Sequence, residues 1–179
     1  MKQGEKGFTL IELIVVIFIM ALIAGAATMT ISQVLRITEH SNDRTTAVRQ
    51  VQTAGYWISR DSLMAQTVIT DDDPGTPELE FITLEWATWE NSDVHKIVYT
   101  FEDMPDGLKK LKRQHLIYDI NGSEIGNSMM YIAHNIVIDS ASFSGENGVW
   151  KLSIEARAGT QTETREYEII PRVEGYRLI

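Results

Sequence analysis

The side chains in this 179-residue chain that could do chemistry are few, and their spacing does not favour catalysis. The four histidines, His40, His95, His115 and His134, sit in unrelated contexts, and no Gly-x-Ser-x-Gly elbow accompanies them. His40 is expected on the solvent side of a helix, and the other three on strands or loop edges. Cysteine is absent, which removes disulfides, thiolate metal sites and thiol catalysis together. No enzymatic role is expected, and no cofactor. Calcium is the one metal with candidate ligands. Asp71-Asp72-Asp73 and Glu78 supply hard oxygens, with Asp71 and Asp73 the leading pair. Asp119-Ile120-Asn121-Gly122-Ser123-Glu124 is a poorer match. It lacks an acid at the fifth position, Gly at the sixth and Glu at the twelfth, so a hairpin turn is expected there.

The carboxylate that most needs an explanation is Glu12. From Phe8 to Ala27 it is the only strongly polar side chain. That run of about 20 residues makes roughly 30 Å of helix, the thickness of a bilayer core. Lys2 and Lys6 precede it, so the positive-inside bias keeps the N-terminus cytoplasmic and sends the rest outward. A secretory signal peptide would use Ala24-Gly25-Ala26 as its small-residue cleavage site, and a plain signal anchor would need no cleavage. Neither uses Glu12, although a charge within a bilayer-spanning helix costs about 2.5–3.5 kcal/mol at its centre. Cleavage between Gly7 and Phe8 would give the acid a partner. The new ammonium at Phe8 would lie one helical turn before Glu12, on the same face, within one chain or between neighbours. The helix dipole favours an acid at that end as well.

Lys6-Gly7-Phe8-Thr9-Leu10-Ile11-Glu12-Leu13 resembles the class III signal of type IV pilins and type II secretion pseudopilins. The resemblance implies cleavage after Gly7 by a prepilin peptidase and N-methylation of Phe8. It also implies assembly through Thr9, Leu10 and above all Glu12, which sets register against a neighbour. A second pattern is spread over the rest of the chain: Arg60-Asp61, then Val98-Tyr99 before Leu111-Lys112-Arg113, then Ile132-Ala133-His134-Asn135-Ile136-Val137, Phe143 and Gly148-Val149-Trp150. It is similar to the J-type minor pseudopilins and related larger minor pilins. The helix lacks the early proline usual in major pilins, and the presence of Glu12 speaks against the K-type subunit.

The segments that must position these residues follow from periodicity. Thr28 to about Gln66 is expected to continue the helix, with Ala47, Val51, Ala54, Ile58 and Ala65 on its buried face. Gly25 and Gly55 are its expected weak points. Asp71 to Pro77 is a loop on turn chemistry. Period-two patterns then predict strands at Leu79–Trp86, His95–Phe101, Leu108–Tyr118, Tyr131–Phe143, Val149–Ala156 and Glu163–Ile170, with a hairpin at Asn121-Gly122. The expected fold class is α+β: a long N-terminal α-helix, apolar and transmembrane in its first half, packed against an antiparallel sheet in the pilin manner. The expected divisions are a leader at 1–7, a transmembrane and assembly helix at 8–27, a continuing helix at 28–70 and a β-rich domain at 71–179.

A net charge of −9 disfavours nucleic acid as a partner. Lys109, Lys110, Lys112 and Arg113 form the one basic cluster, expected as a strand face that discourages edge pairing. Trp86, Trp89, Tyr99 and Trp150 are expected in the core before any exposed patch. The resemblance implies a minor subunit of a type II secretion pseudopilus, anchored in the cytoplasmic membrane with its C-terminal domain outside. Assembly into a cell-envelope or extracellular filament follows. The implied partners are other pilin or pseudopilin subunits, the prepilin peptidase and a membrane assembly platform. The alternative is a minor pilin of a type IV or competence pilus serving adhesion, motility or DNA uptake.

Overall fold

A computed structural model describes residues 9–70, 79–89, 92–146 and 148–170. The chain forms two compact units, Met1–Asn42 and Asp43–Ile179. Helix α1 runs from Leu10 to Ser62, unbroken through Gly25 and Gly55 and closing a few residues before the expected Gln66. In the first unit its large apolar side chains, from Leu10 to Ile37, are all exposed. The hydroxyls in this stretch are satisfied within the helix: Thr28, Thr30, Ser32 and Thr38 donate to the carbonyls four residues back at 2.9–3.0 Å. Their polarity is thereby removed from the helix surface.

In the second unit the helix buries the expected face. Ala47, Val51, Ala54 and Ile58 are fully buried. They pack on a sheet of eight antiparallel strands: β1 Thr67–Ile69, β2 Leu79–Ala87, β3 Val94–Asp103, β4 Lys109–Tyr118, β5 Glu124–Ile136, β6 Ser142–Glu146, β7 Val149–Ala158 and β8 Gln161–Ile169. The strand order is β1-β2-β3-β4-β5-β7-β6, with β8 on the other side of β7. Ile82, Leu84, Ile97, Tyr99, Leu111, Ala133, Leu152, Ile154 and Ala156 supply the sheet side of one core. The fold is α+β and pilin-like.

The expected single strand from Tyr131 to Phe143 is corrected. Strand β5 starts earlier, at Glu124, and ends at Ile136, and a 3₁₀ turn over Ile138–Ser140 separates it from β6. Asn135 takes φ 60°, a left-handed conformation that Asn tolerates better than most residues. Just past that kink Ile136 still pairs with Lys109 of β4 and also makes the single β5–β7 pair, with Ala156. Gly122, at φ 79°, closes the β4–β5 hairpin as expected. Strand β1 was not expected from the sequence; its three residues are too few to show a period.

Gly55 is a packing device and not a weak point. A Cβ there would overlap the end of the Tyr167 ring, whose hydroxyl donates to the Val51 carbonyl at 3.1 Å. Gly25 has nothing within 4 Å of such a Cβ. Ala should gain about 1 kcal/mol over Gly in a helix interior. Gly25→Ala is therefore expected to leave stability unchanged or slightly raised. Gly55→Ala should lose about 1–3 kcal/mol as Tyr167 is displaced, measured by denaturant unfolding of the full-length chain in detergent.

Candidate functional site

The N-terminal site is built by the first turn of α1. Thr9 precedes the helix, and its carbonyl accepts from the amides of Glu12 at 3.1 Å and Leu13 at 3.3 Å. Glu12 turns back, and its Oε2 accepts from the Thr9 amide at 3.4 Å and the Thr9 hydroxyl at 3.3 Å. Thr9-Leu10-Ile11-Glu12 thus carries the Glu arm of a capping box. Sequence reasoning gave the acid an ammonium partner and missed this one, although Ser/Thr-x-x-Glu is a legible signal. Both contacts are long for hydrogen bonds. They orient the carboxylate toward the end of the helix where residue 8 joins it. Gly7 and Phe8 lie outside the described residues, as do Asp71, Asp72, Asp73 and Glu78. Around this turn, Leu10 is 77% and Ile11 72% exposed, so the acid stands in an apolar surface that the described residues leave uncovered.

A second polar centre lies beneath the helix. Asp61 is 1% exposed and receives three side chains. The Tyr99 hydroxyl donates to Oδ2 at 2.7 Å, Arg113 Nε donates to the same oxygen at 2.6 Å, and Arg60 donates to Oδ1 at 3.0 and 3.2 Å. Trp57 completes the group, with the guanidinium carbons of Arg60 and Arg113 at 3.9 and 5.0 Å from its ring centroid. Burial, then the charge of Asp61, pushes the Tyr99 phenol far above its ordinary range, so it keeps the proton that it donates to Asp61. Burial works against the Arg113 cation, but its hydrogen bond to Asp61 and that carboxylate's charge outweigh it, and the net direction is up. This centre pins the end of the helix to β3 and β4. The sequence held a signal for it: Asp61 follows Ile58 by three residues, in phase with the buried stripe.

The basic cluster does not form one face. Arg113 and Lys112 are each 7% exposed, Lys109 pairs with Asp103, and Lys110 lies over the Tyr131 ring at 5.2 Å. Strand β4 is central, so protection of an edge is not its task. The aromatic expectation holds for Tyr99 and Trp150, which are buried, and Trp86 is half-buried; Trp89 is 97% exposed. At the other acidic loop, Asp119 accepts from the amides of Ser123 at 2.8 Å and Asn121 at 2.9 Å, which lowers its pKa. Its carboxylate caps the hairpin turn.

Two histidines of unrelated sequence context meet. His95 Nδ1 and His115 Nε2 are 2.9 Å apart, with ring centroids separated by 5.2 Å, so the rings join edge to edge through one shared proton. The Trp86 indole stacks on His95 at 5.1 Å and 3°. Burial lowers the His115 pKa, aided by the charges of Arg113, His95 and Arg60 and opposed by Asp61.

Two outcomes follow. Asp61→Ala strands Arg113 and Tyr99, and should cost about 3–5 kcal/mol. Tyr99→Phe, which removes one donor and leaves the ion pair, should cost about 1 kcal/mol. Denaturant unfolding of the full-length chain checks both. The histidine pair predicts acid sensitivity. A depressed pKa in the folded state means that the unfolded chain binds the proton more readily. Its contribution is thus complete above the ordinary imidazole value of about 6.5 and is lost as pH falls through the lower folded value. Unfolding measured across pH 7.5 to 5 should show this loss, and His115→Gln should flatten it.

Residues 2–28 match the family model of the prokaryotic N-terminal methylation motif. No curated protein and no solved structure matches the chain. Helix α1 is long and apolar enough to cross a membrane, and its apolar window has no buried residue. The motif supports a pilin or pseudopilin, which implies peptidase processing and assembly with other pilin-type subunits, and together with the exposed helix it fits a membrane-anchored, filament-assembled protein.

Proposed function

We propose that this chain is a minor pilin-like structural subunit of a type II secretion pseudopilus. It is inserted in the cytoplasmic membrane with its domain outside and cut after Gly7. It is then methylated at Phe8 and assembled through its N-terminal helix. One observation carries the reading: within the methylation motif, Glu12 is held in the first turn of a helix whose large apolar side chains from Leu10 to Ile37 are exposed. Such a surface needs lipid or sibling helices around it. The Glu12 contacts to Thr9 aim the carboxylate toward the position that cleavage would make cationic. Pairing there would offset the cost of burying the acid and fix the axial register of neighbours.

The mechanism is mechanical. Apolar side chains from Phe8 to about Leu35 pack between subunits, and the domain, held together by Asp61, contacts other minor subunits. The alternative is a minor pilin of a type IV or competence pilus serving adhesion, motility or DNA uptake, and for DNA uptake the run Lys109–Arg113 is the one basic candidate. With Lys112 and Arg113 buried and Lys109 paired, that run offers no exposed basic stripe.

The test separates filament assembly from simple anchoring. Glu12→Ala should leave membrane insertion intact and reduce incorporation into filaments at least tenfold, scored by sheared-filament immunoblot. Glu12→Gln keeps the capping contacts but not the charge and should fail similarly. Normal incorporation of both variants would contradict the proposal.

A further inference from the structure

The end of the sheet away from the β3–β4 connection carries apolar side chains that neither the core nor the helix uses. Trp89 is 97% exposed in the loop joining β2 to β3, and Ile120 is 75% exposed in the turn joining β4 to β5. Ile125, at 57%, and Val94, at 37%, lie beside them. Register brings them together. Ala87 pairs with Val94, Val94 with Tyr118, and Tyr118 with Glu124. Trp89 and Ile120 each stand two residues beyond this row, about 10 Å apart across two strand spacings.

The patch is presented on braced elements. The Thr88 amide donates to the Asp93 carbonyl at 2.9 Å, closing the loop, and Asp119 caps the neighbouring turn. Beneath them lies the Trp86, His95 and His115 stack. A tryptophan this exposed offers a large apolar area for a partner to bury.

The charge around the patch has one sign. Asp93, Asp119 and Glu124 flank it, and no Lys or Arg occurs from residue 86 to 95 or from 116 to 131. Lys96, just outside, is paired with Glu85 at 3.7 Å. An acidic rim repels a second copy of itself, an anionic bilayer and nucleic acid. We infer that this sheet end, centred on Trp89 and Ile120, docks a different protein that offers an apolar pocket ringed by Lys or Arg. The inference uses no residue of the N-terminal helix and does not depend on the filament reading.

The experiment places the photocrosslinker p-benzoylphenylalanine at position 89 of the full-length chain in its native membranes, with position 151 as an off-patch control. Irradiation is expected to give one discrete product specific to position 89, whose partner peptide maps to an apolar surface bordered by Lys or Arg. Ile120→Asp and Glu124→Lys should each lower its yield at least about threefold, with thermal unfolding unchanged. Products with lipid alone, with a second copy, or shared with position 151 would overturn the inference. So would no product at all, or a yield indifferent to both variants.

Discussion

The apolar surface of α1 between Leu10 and Ile37 has to leave water, and the first unit is arranged around that constraint. No residue of the described chain covers the apolar window of this helix. Its hydroxyls are turned onto carbonyls four residues back, so the surface it offers to lipid or to sibling helices is almost continuously apolar. Between Leu10 and Ala27, Glu12 is the one charged side chain. Its cost is tolerable only if the acid is partnered, first by Thr9 within the turn and, in the proposed assembly, by a terminal ammonium.

The second unit solves a different problem with the same helix. Small and β-branched residues at Ala47, Val51, Ala54 and Ile58 let it lie close on the sheet, and Gly55 makes room for Tyr167. Gly159 does the same at the β7–β8 turn, where its φ of 53° and missing Cβ admit the Asp43 carboxylate. Asp61 then adds a polar constraint that apolar packing does not provide. A buried carboxylate satisfied by a tyrosine and two arginines accepts one rotation and one register of helix on strands. Displacing it would strand a buried charge.

Most of this was legible in the sequence where the signal is local. The 3.6-residue stripe located the buried helix face, and period two located β2, β3, β4, β7 and β8 to within a few residues. The Asn-Gly dipeptide placed a hairpin. Where tertiary context decides, the pattern misled. The stretch from Tyr131 to Phe143 reads as one strand, but a left-handed Asn135 and a 3₁₀ turn divide it between two neighbours. The four basic residues of β4 look like one cluster, yet alternation sends them to opposite faces and Asp61 claims Arg113. His95 and His115 meet only because β3 and β4 pair in one register, which no local pattern encodes. The capping arm of Glu12 and the in-phase position of Asp61 are local signals and are readable in the sequence.

The central claim is that Glu12 is tolerated in an apolar helix because proteolysis makes a cation one turn before it. Intact-mass and N-terminal peptide spectrometry of the chain purified from its native membranes tests this most directly. The account predicts a polypeptide beginning at Phe8 and carrying one methyl group on its terminal nitrogen. A mature chain beginning at Met1, or just after Ala26, would contradict it.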